Sequence, residues 1–237
     1  MRKIAVFSDI HGNIEALKAI YLDILLEGIS EVYHLGDAIA IGPEPKATLD
    51  FIIEKEIISL KGNHEIYYTD IINTGLADVH EGELIHKRWI AEKLGDSYLD
   101  VINNFEYEYI LNFDGVKILF CHYPFIIEDG KFKCFINFDD KIDRSVFSET
   151  DADLYVFGHQ HTGSDKVDSE GIRYINLSSA GATRGNETTY SIIQIHDNSF
   201  EVIMKDIRYD RSKTILKIDQ LGVPEKEFIK RVFFGIE

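Results

Sequence analysis

Apolar residues in this chain recur in short runs that stop abruptly at polar side chains. Lys3 to Phe7 is such a run, and its length and ending at Ser8-Asp9 predict a buried strand. Asn13 can cap a following helix in which Ile14, Leu17, Tyr21, Ile24 and Leu25 recur at helical spacing. Glu31 to Leu35 predicts a second strand ending at Gly36-Asp37. Pro43 and Pro45 mark a loop, after which Leu49, Ile52 and Ile53 form one face of a second helix. Ile57 to Leu60 predicts a third strand, ending at Gly62-Asn63-His64-Glu65. The unit of strand, polar loop and helix is thus repeated.

From about Ile66 to Phe105 no strand pattern appears, and Glu83 to Leu94, around the lone Trp89, reads as helix; this span is expected to be a helical insert in a single domain covering 1–237. Tyr107 to Phe113 and Val116 to Cys121 flank Asp114-Gly115, a favourable two-residue hairpin turn. Leu154 to Phe157 predicts a buried strand running into Gly158-His159-Gln160-His161. Further strands are expected at Arg173 to Leu177, Tyr190 to His196 and Phe200 to Asp206, the last two joined at Asp197-Asn198. The tail from Ser212 to Phe234 carries two short helical patterns broken at Gly222-Val-Pro224. Strands alternate with helices in the first half and dominate the second, which predicts a mixed α/β (α+β) architecture.

Composition narrows the function. The chain has 237 residues, of which 45% are hydrophobic and 12% aromatic, enough for a substantial core. A formal charge of −16 disfavours a nucleic-acid-coating surface, which would need Lys and Arg along the phosphates. No apolar run approaches the roughly 18 residues of a membrane span. Met1-Arg-Lys opens onto a strand rather than a signal peptide, so a cytoplasmic location is expected. The only cysteines, Cys121 and Cys134, form no CxxC pair and read as reduced thiols in or near the core.

The chemistry lies where the runs end. Four strands stop at DIHGN, GDA, GNHE or GHQH, and a fifth at Cys121-His122-Tyr123-Pro124. Loops at the carboxyl ends of strands in open α/β sheets converge on ligands, so these segments can meet at one place. Asp9, His11, Asp37, Asn63, His122, His159 and His161 offer imidazole and oxygen donors without thiolate, a set suited to two divalent ions such as Mn, Fe, Zn or Ni, with Mn favoured. A carboxylate such as Asp37 can bridge two ions about 3.5–4 Å apart, which together activate a hydroxide for in-line attack on phosphorus. The ions and two carboxylates leave a local charge of about +2, which lets an acidic protein hold an anionic substrate. Gly36, Gly62 and Gly158 each precede a candidate ligand, where close backbone approach favours a residue without Cβ.

DIHGN, LGDAIAIGP, KGNHE, FCHYP and GHQH, in this order and at these separations, resemble the calcineurin-like metallophosphoesterase superfamily, in its small bacterial phosphodiesterase-like branch. The resemblance continues through GPEP, Asn176-Leu-Ser-Ser-Ala-Gly181 and Tyr209-Asp210, nearly the whole chain. It implies a four-layer sandwich, two mixed β-sheets packed face to face and flanked by helices. It also implies that Asp9, His11 and His161 hold one metal, Asn63, His122 and His159 the other, and Asp37 both. His64 would not be a ligand but the general acid that contacts the phosphate and protonates the leaving oxygen.

Three departures refine this. Gly36-Asp-Ala-Ile-Ala-Ile-Gly42 lacks the second acidic residue often found after GD, and the Asp-Arg-Gly of the serine/threonine protein phosphatases. Tyr123-Pro124 follows His122 where Gly is usual, so Tyr123 could wall the pocket or stack on a base. Leu177-Ser-Ser-Ala180 replaces Pro-Gly-Ser-Val, and Arg184 beyond it could contact a substrate phosphate as a bidentate donor. Away from the motifs, His34 reads as core or as support behind a ligand, His80, His86 and His196 as surface, and Cys121 as core on the strand face opposite His122.

The expected activity is dimetal-dependent hydrolysis of a phosphodiester or phosphomonoester of a small molecule or nucleotide. Nucleic acid and membrane are not expected partners, and the oligomeric state is open, a homo-oligomer included. A non-catalytic metal-binding interaction module on the same fold, a nuclease and a protein phosphatase of the superfamily are the alternatives.

Overall fold

The computed structural model describes residues 1–77, 79–129, 131–136 and 144–236. Strands β1 (Arg2–Phe7), β2 (Val32–His34) and β3 (Ile58–Ser59) alternate with helices α1 (Ile14–Leu26) and α2 (Pro45–Glu54). Helices α3 (Asn63–Thr74), α4 (Glu81–Leu94) and α5 (Leu99–Asn103) follow where the helical insert was expected. The second half carries β4 (Glu108–Phe113), β5 (Val116–Cys121), β6 (Phe125–Glu128), β7 (Lys131–Phe135), β8 (Leu154–Phe157), β9 (Ser164–Val167), β10 (Arg173–Asn176), β11 (Glu187–His196) and β12 (Ser199–Arg208). Helices α6 (Arg211–Gln220) and α7 (Lys226–Phe233) close the chain, on either side of the Gly222-Val-Pro224 break.

Two five-stranded mixed sheets result, in the orders β12-β11-β1-β2-β3 and β4-β5-β8-β10-β9, beside a β6-β7 ribbon. Side-chain alternation explains how they pack. Ile4, Val6, Ile193 and Ile195 of the first sheet meet Ile118, Phe120, Leu154 and Val156 of the second in one core. Ala5, Phe7, Tyr190 and Ile192 point the other way, into a core shared with α1 to α4. Leu119, Cys121, Tyr155 and Phe157 face outward from the second sheet under Tyr123, Phe125, Phe135 and Phe147, so the ribbon and Phe147 pack on that face. The α6-α7 pair rests on Ile41 and Trp89 through Ile218, Val223, Ile229 and Phe234. Among the described residues no helix is long and apolar enough to cross a membrane.

Most boundaries agree with the pattern to within a residue or two. Asn13 caps α1, its side chain accepting from the Ala16 N–H. Asp114-Gly115 and Asp197-Asn198 take positive φ at both turn residues, as tight hairpin turns require. The corrections concern faces. Leu25 and Ile53, assigned to buried faces, are 53% and 44% exposed, and Ala16 and Ile20 of α1 and Thr48 of α2 are buried instead. Cys134 is exposed, because it sits on the ribbon rather than in a sheet core. His86 is buried, not on the surface, because α4 packs it against the loop after Asp37. The ribbon and β9 lie outside the pattern, since their side chains alternate weakly or are mostly exposed.

Candidate metal centre and active site

The polar ends of β1, β2, β3, β5 and β8 meet at one edge of the paired sheets. Two stitches hold that edge: Ser8 bridges Ser179, and Leu60 bridges Glu106. At the first, Ala180 N and Gly181 N donate to the carbonyls of Ser8 and Asp9, and Ser179 Oγ donates to Asp9 O. The backbone there is unusual. Asp9, His11, Asp37, His159 and His161 all have positive φ, between 49° and 75°. Such conformations cost on the order of 1–3 kcal/mol each in non-glycine residues and gather at functional sites.

The side chains form overlapping clusters. Asp9, His11 and His161 offer ligand atoms within 4.8 Å of one another, as do Asp37, His122 and His159, and as do His11, Asp37 and His64. His11 Nε2 lies 2.9 Å from His161 Nε2. Asn63 Oδ1 lies 3.1 Å from His122 Nε2 and 3.0 Å from His159 Nδ1. Asp37 Oδ2 is 3.4 Å from His122 Nε2 and 3.8 Å from His64 Nε2, which places Asp37 between the groups. All seven residues nominated as ligands are therefore together, with His64 at their margin.

Several features fit a bound cation. Among the described residues Asp9 Oδ1 is buried without a hydrogen-bond partner; His161 Nε2 and His11 Nε2 are 3.4 and 3.7 Å from it. His122 Nδ1 lies 2.8 Å from the carbonyl of Leu35. A carbonyl only accepts, so Nδ1 carries the hydrogen and Nε2 is turned to the centre, the orientation a metal-ligating imidazole needs. Burial opposes charge throughout, yet the negative Asp37 nearby raises His122 to about 9, and the Asp9 carboxylate raises His161. Burial likewise works against ionisation of Asp9 and Asp37, but the neighbouring histidines hold both carboxyls below the usual range. Burial and the positive His161 push His11 down to about 4. Carboxylates are ionised while protons sit on facing imidazoles, a place a divalent ion can take from them.

Glu65 was not singled out from the sequence. Fully buried, it accepts from the backbone N–H groups of Asp37, Ala38 and Gly62 and ties the second strand end to the third. Lys87 of α4 was also missed; its Nζ lies 2.5 Å from His64 Nδ1. Lys87 lies on a helix without a motif, whereas Glu65 belongs to GNHE and was legible there. Two clefts open from the centre, of about 660 and 680 Å³, and share Asn63, Tyr67 and His159. His64, Lys87, His161, Phe228 and Phe233 line the first; Lys61, Tyr107, Phe132 and Phe135 line the second. Tyr123 is buried behind His159, 4.6 Å between ring centres, and accepts from Gln160 Nε2. Arg184 donates to the carbonyl of Val232 and lines neither of these clefts. His34 is buried against Ser59 Oγ, behind the centre, as expected.

Two mixed sheets with carboxylates and imidazoles gathered at their polar ends form a candidate metal centre, and comparison with known proteins gives the family. The chain matches the calcineurin-like phosphoesterase superfamily domain over residues 2–198 and belongs to that superfamily. It is 28% identical over 252 aligned residues to an uncharacterized protein of Methanocaldococcus jannaschii, covering 98% of each chain. Among solved structures it resembles a hypothetical protein of Pyrococcus horikoshii (TM-score 0.76, 17% identity, 100% of each chain). It also resembles a metallophosphoesterase of Sphaerobacter thermophilus (TM-score 0.69, 18% identity, 99% of each chain). Both structures share its fold.

Proposed function

We propose that this chain hydrolyses phosphoesters of small molecules, nucleotides included, with two divalent ions. The observation that carries this reading is the placement of Asp37 between the Asp9-His11-His161 and the His122-His159 clusters, with a cleft opening beside them. Asp9, His11 and His161 would hold one ion, Asn63, His122 and His159 the other, and Asp37 both. Bound there, the ions would supply Lewis acidity toward the phosphate and a lowered pKa for water, and manganese suits the nitrogen and oxygen donors. His64 Nε2 lies at the mouth of this centre and would give its proton to the leaving oxygen. Carboxylates of Glu83 and Glu225 line the same cleft beside Lys87, which favours a small substrate over a polynucleotide. A cytoplasmic location accords with the free thiols Cys121 and Cys134.

The test is manganese-loaded protein assayed on p-nitrophenyl phosphate and bis-(p-nitrophenyl) phosphate. Turnover of at least one ester is expected, together with a loss of about 10²-fold or more on a poorer leaving group in His64→Ala at unchanged metal content. No turnover with Mn, Fe, Zn or Ni would remove the hydrolase reading and leave a metal-binding interaction module.

A further inference from the structure

A buried lysine is costly unless something uses its charge, and Lys87 is only 7% exposed. Among the described residues its ammonium makes no ion pair with a carboxylate; its neighbours are His64 Nδ1 at 2.5 Å and the Tyr67 ring, whose centroid is 5.3 Å away. The contact with His64 has a direction. An ammonium only donates, so Nδ1 must present its lone pair, and the hydrogen of the neutral ring must lie on Nε2. Nε2 is the atom facing Asp37 and the cleft. Edge-on packing by His11, 5.2 Å between ring centres, and Tyr67, 6.0 Å, fixes the plane of the ring.

We propose that Lys87 is a positioning residue for His64, its ammonium donating to Nδ1 and thereby holding the ring in the Nε2–H tautomer; as Nε2 gives its proton to the leaving oxygen, Nδ1 takes one from the ammonium, so the ring stays neutral and no imidazolate forms. The inference rests on the hydrolase reading for its purpose, but not for its geometry. Burial lowers Lys87 to about 8 against the pull of Asp37 and Glu83, so the donor form persists at neutral pH. Helix α4 thus does more than cover the cleft: it supplies the group that orients the acid. An imidazole held in the wrong tautomer can cost up to about 10⁴ in turnover.

Two substitutions of Lys87, with His64→Gln as the assignment control, and two readouts test this. In zinc-loaded protein, two-bond 1H–15N spectra report the His64 tautomer, with the signal assigned by its loss in His64→Gln. The wild type and Lys87→Arg should show Nε2–H, and Lys87→Met should shift toward Nδ1–H. A wild-type Nδ1–H tautomer, or a Lys87→Met spectrum identical to wild type, overturns the proposal. In turnover, Lys87→Met should keep p-nitrophenyl ester hydrolysis within about threefold but lose at least about tenfold on an alkyl ester, whose leaving oxygen needs the proton. Equal losses on both esters also overturn it. If the wild type hydrolyses no phosphoester, the hydrolase reading falls, while the ring spectrum still decides the pairing.

Discussion

Strained single residues carry much of the site. Asp9, Asp37 and His159 reach the centre because their backbones turn through positive φ, and neighbouring segments of the chain approach closely enough to hold them there. A Cβ at Gly62 would lie 2.2 Å from Asp37 Oδ1, and one at Gly158 would lie 2.4 Å from Asp9 Oδ2. The glycines before candidate ligands were legible in the sequence, and these contacts supply the reason. Gly62→Ala should displace Asp37, lower stability by about 1–3 kcal/mol, and reduce bound metal below the wild-type stoichiometry. Thermal unfolding and metal analysis of the purified variant would check both, and a variant with full metal content and unchanged melting would refute the role given to the close approach.

At the scale of elements, α4 is the part the sequence described least well. Its pattern predicted a helix but not what the helix touches. His86, read as a surface residue, instead accepts from the backbone N–H of Ile41, itself at positive φ, and so clamps the loop after Asp37. Burial, aided by the positive charge of Lys87, lowers His86 to about 3. Between that value and about 6.5, the unfolded chain takes up a proton that the folded chain refuses. Stability is therefore fully present above 6.5 and is lost as pH falls through this window, by about 2 kcal/mol at pH 5 from this residue. His86→Gln can keep an acceptor without titrating, so its melting temperature should fall less than the wild type's between pH 7 and pH 5. Equal falls would show that another group carries the acid sensitivity.

Across the whole molecule, the centre lies where the two sheets are stitched edge to edge, with ligand candidates drawn from both. A cation bound there would join the sheets as well as serve chemistry. Metal at 100 times its dissociation constant should add about 2.7 kcal/mol, which for a chain of this size raises the melting temperature by roughly 5–10 °C. Differential scanning calorimetry with Mn and with a chelator measures the difference. Identical melting in both would argue against a centre that binds metal in the folded state.

The sequence by itself determined the element order, the hairpin turns and the residues able to meet at the strand ends, because each is written in local periodicity and turn chemistry. Ile4 and Val6 against Ala5 and Phe7 show how far alternation alone reaches: it separates the faces of a strand without saying what each face meets. Which sheet packs on which, why Cys134 is exposed and His86 buried, and how Arg184 turns to Val232 were decided only by tertiary packing. Lys87 is the clearest case. Its sequence position, 23 residues from His64, carries no motif. Its ammonium reaches the imidazole only because α4 folds back over α3, a contact set by the packing of Ile90, Ala91 and Tyr68 in the shared core.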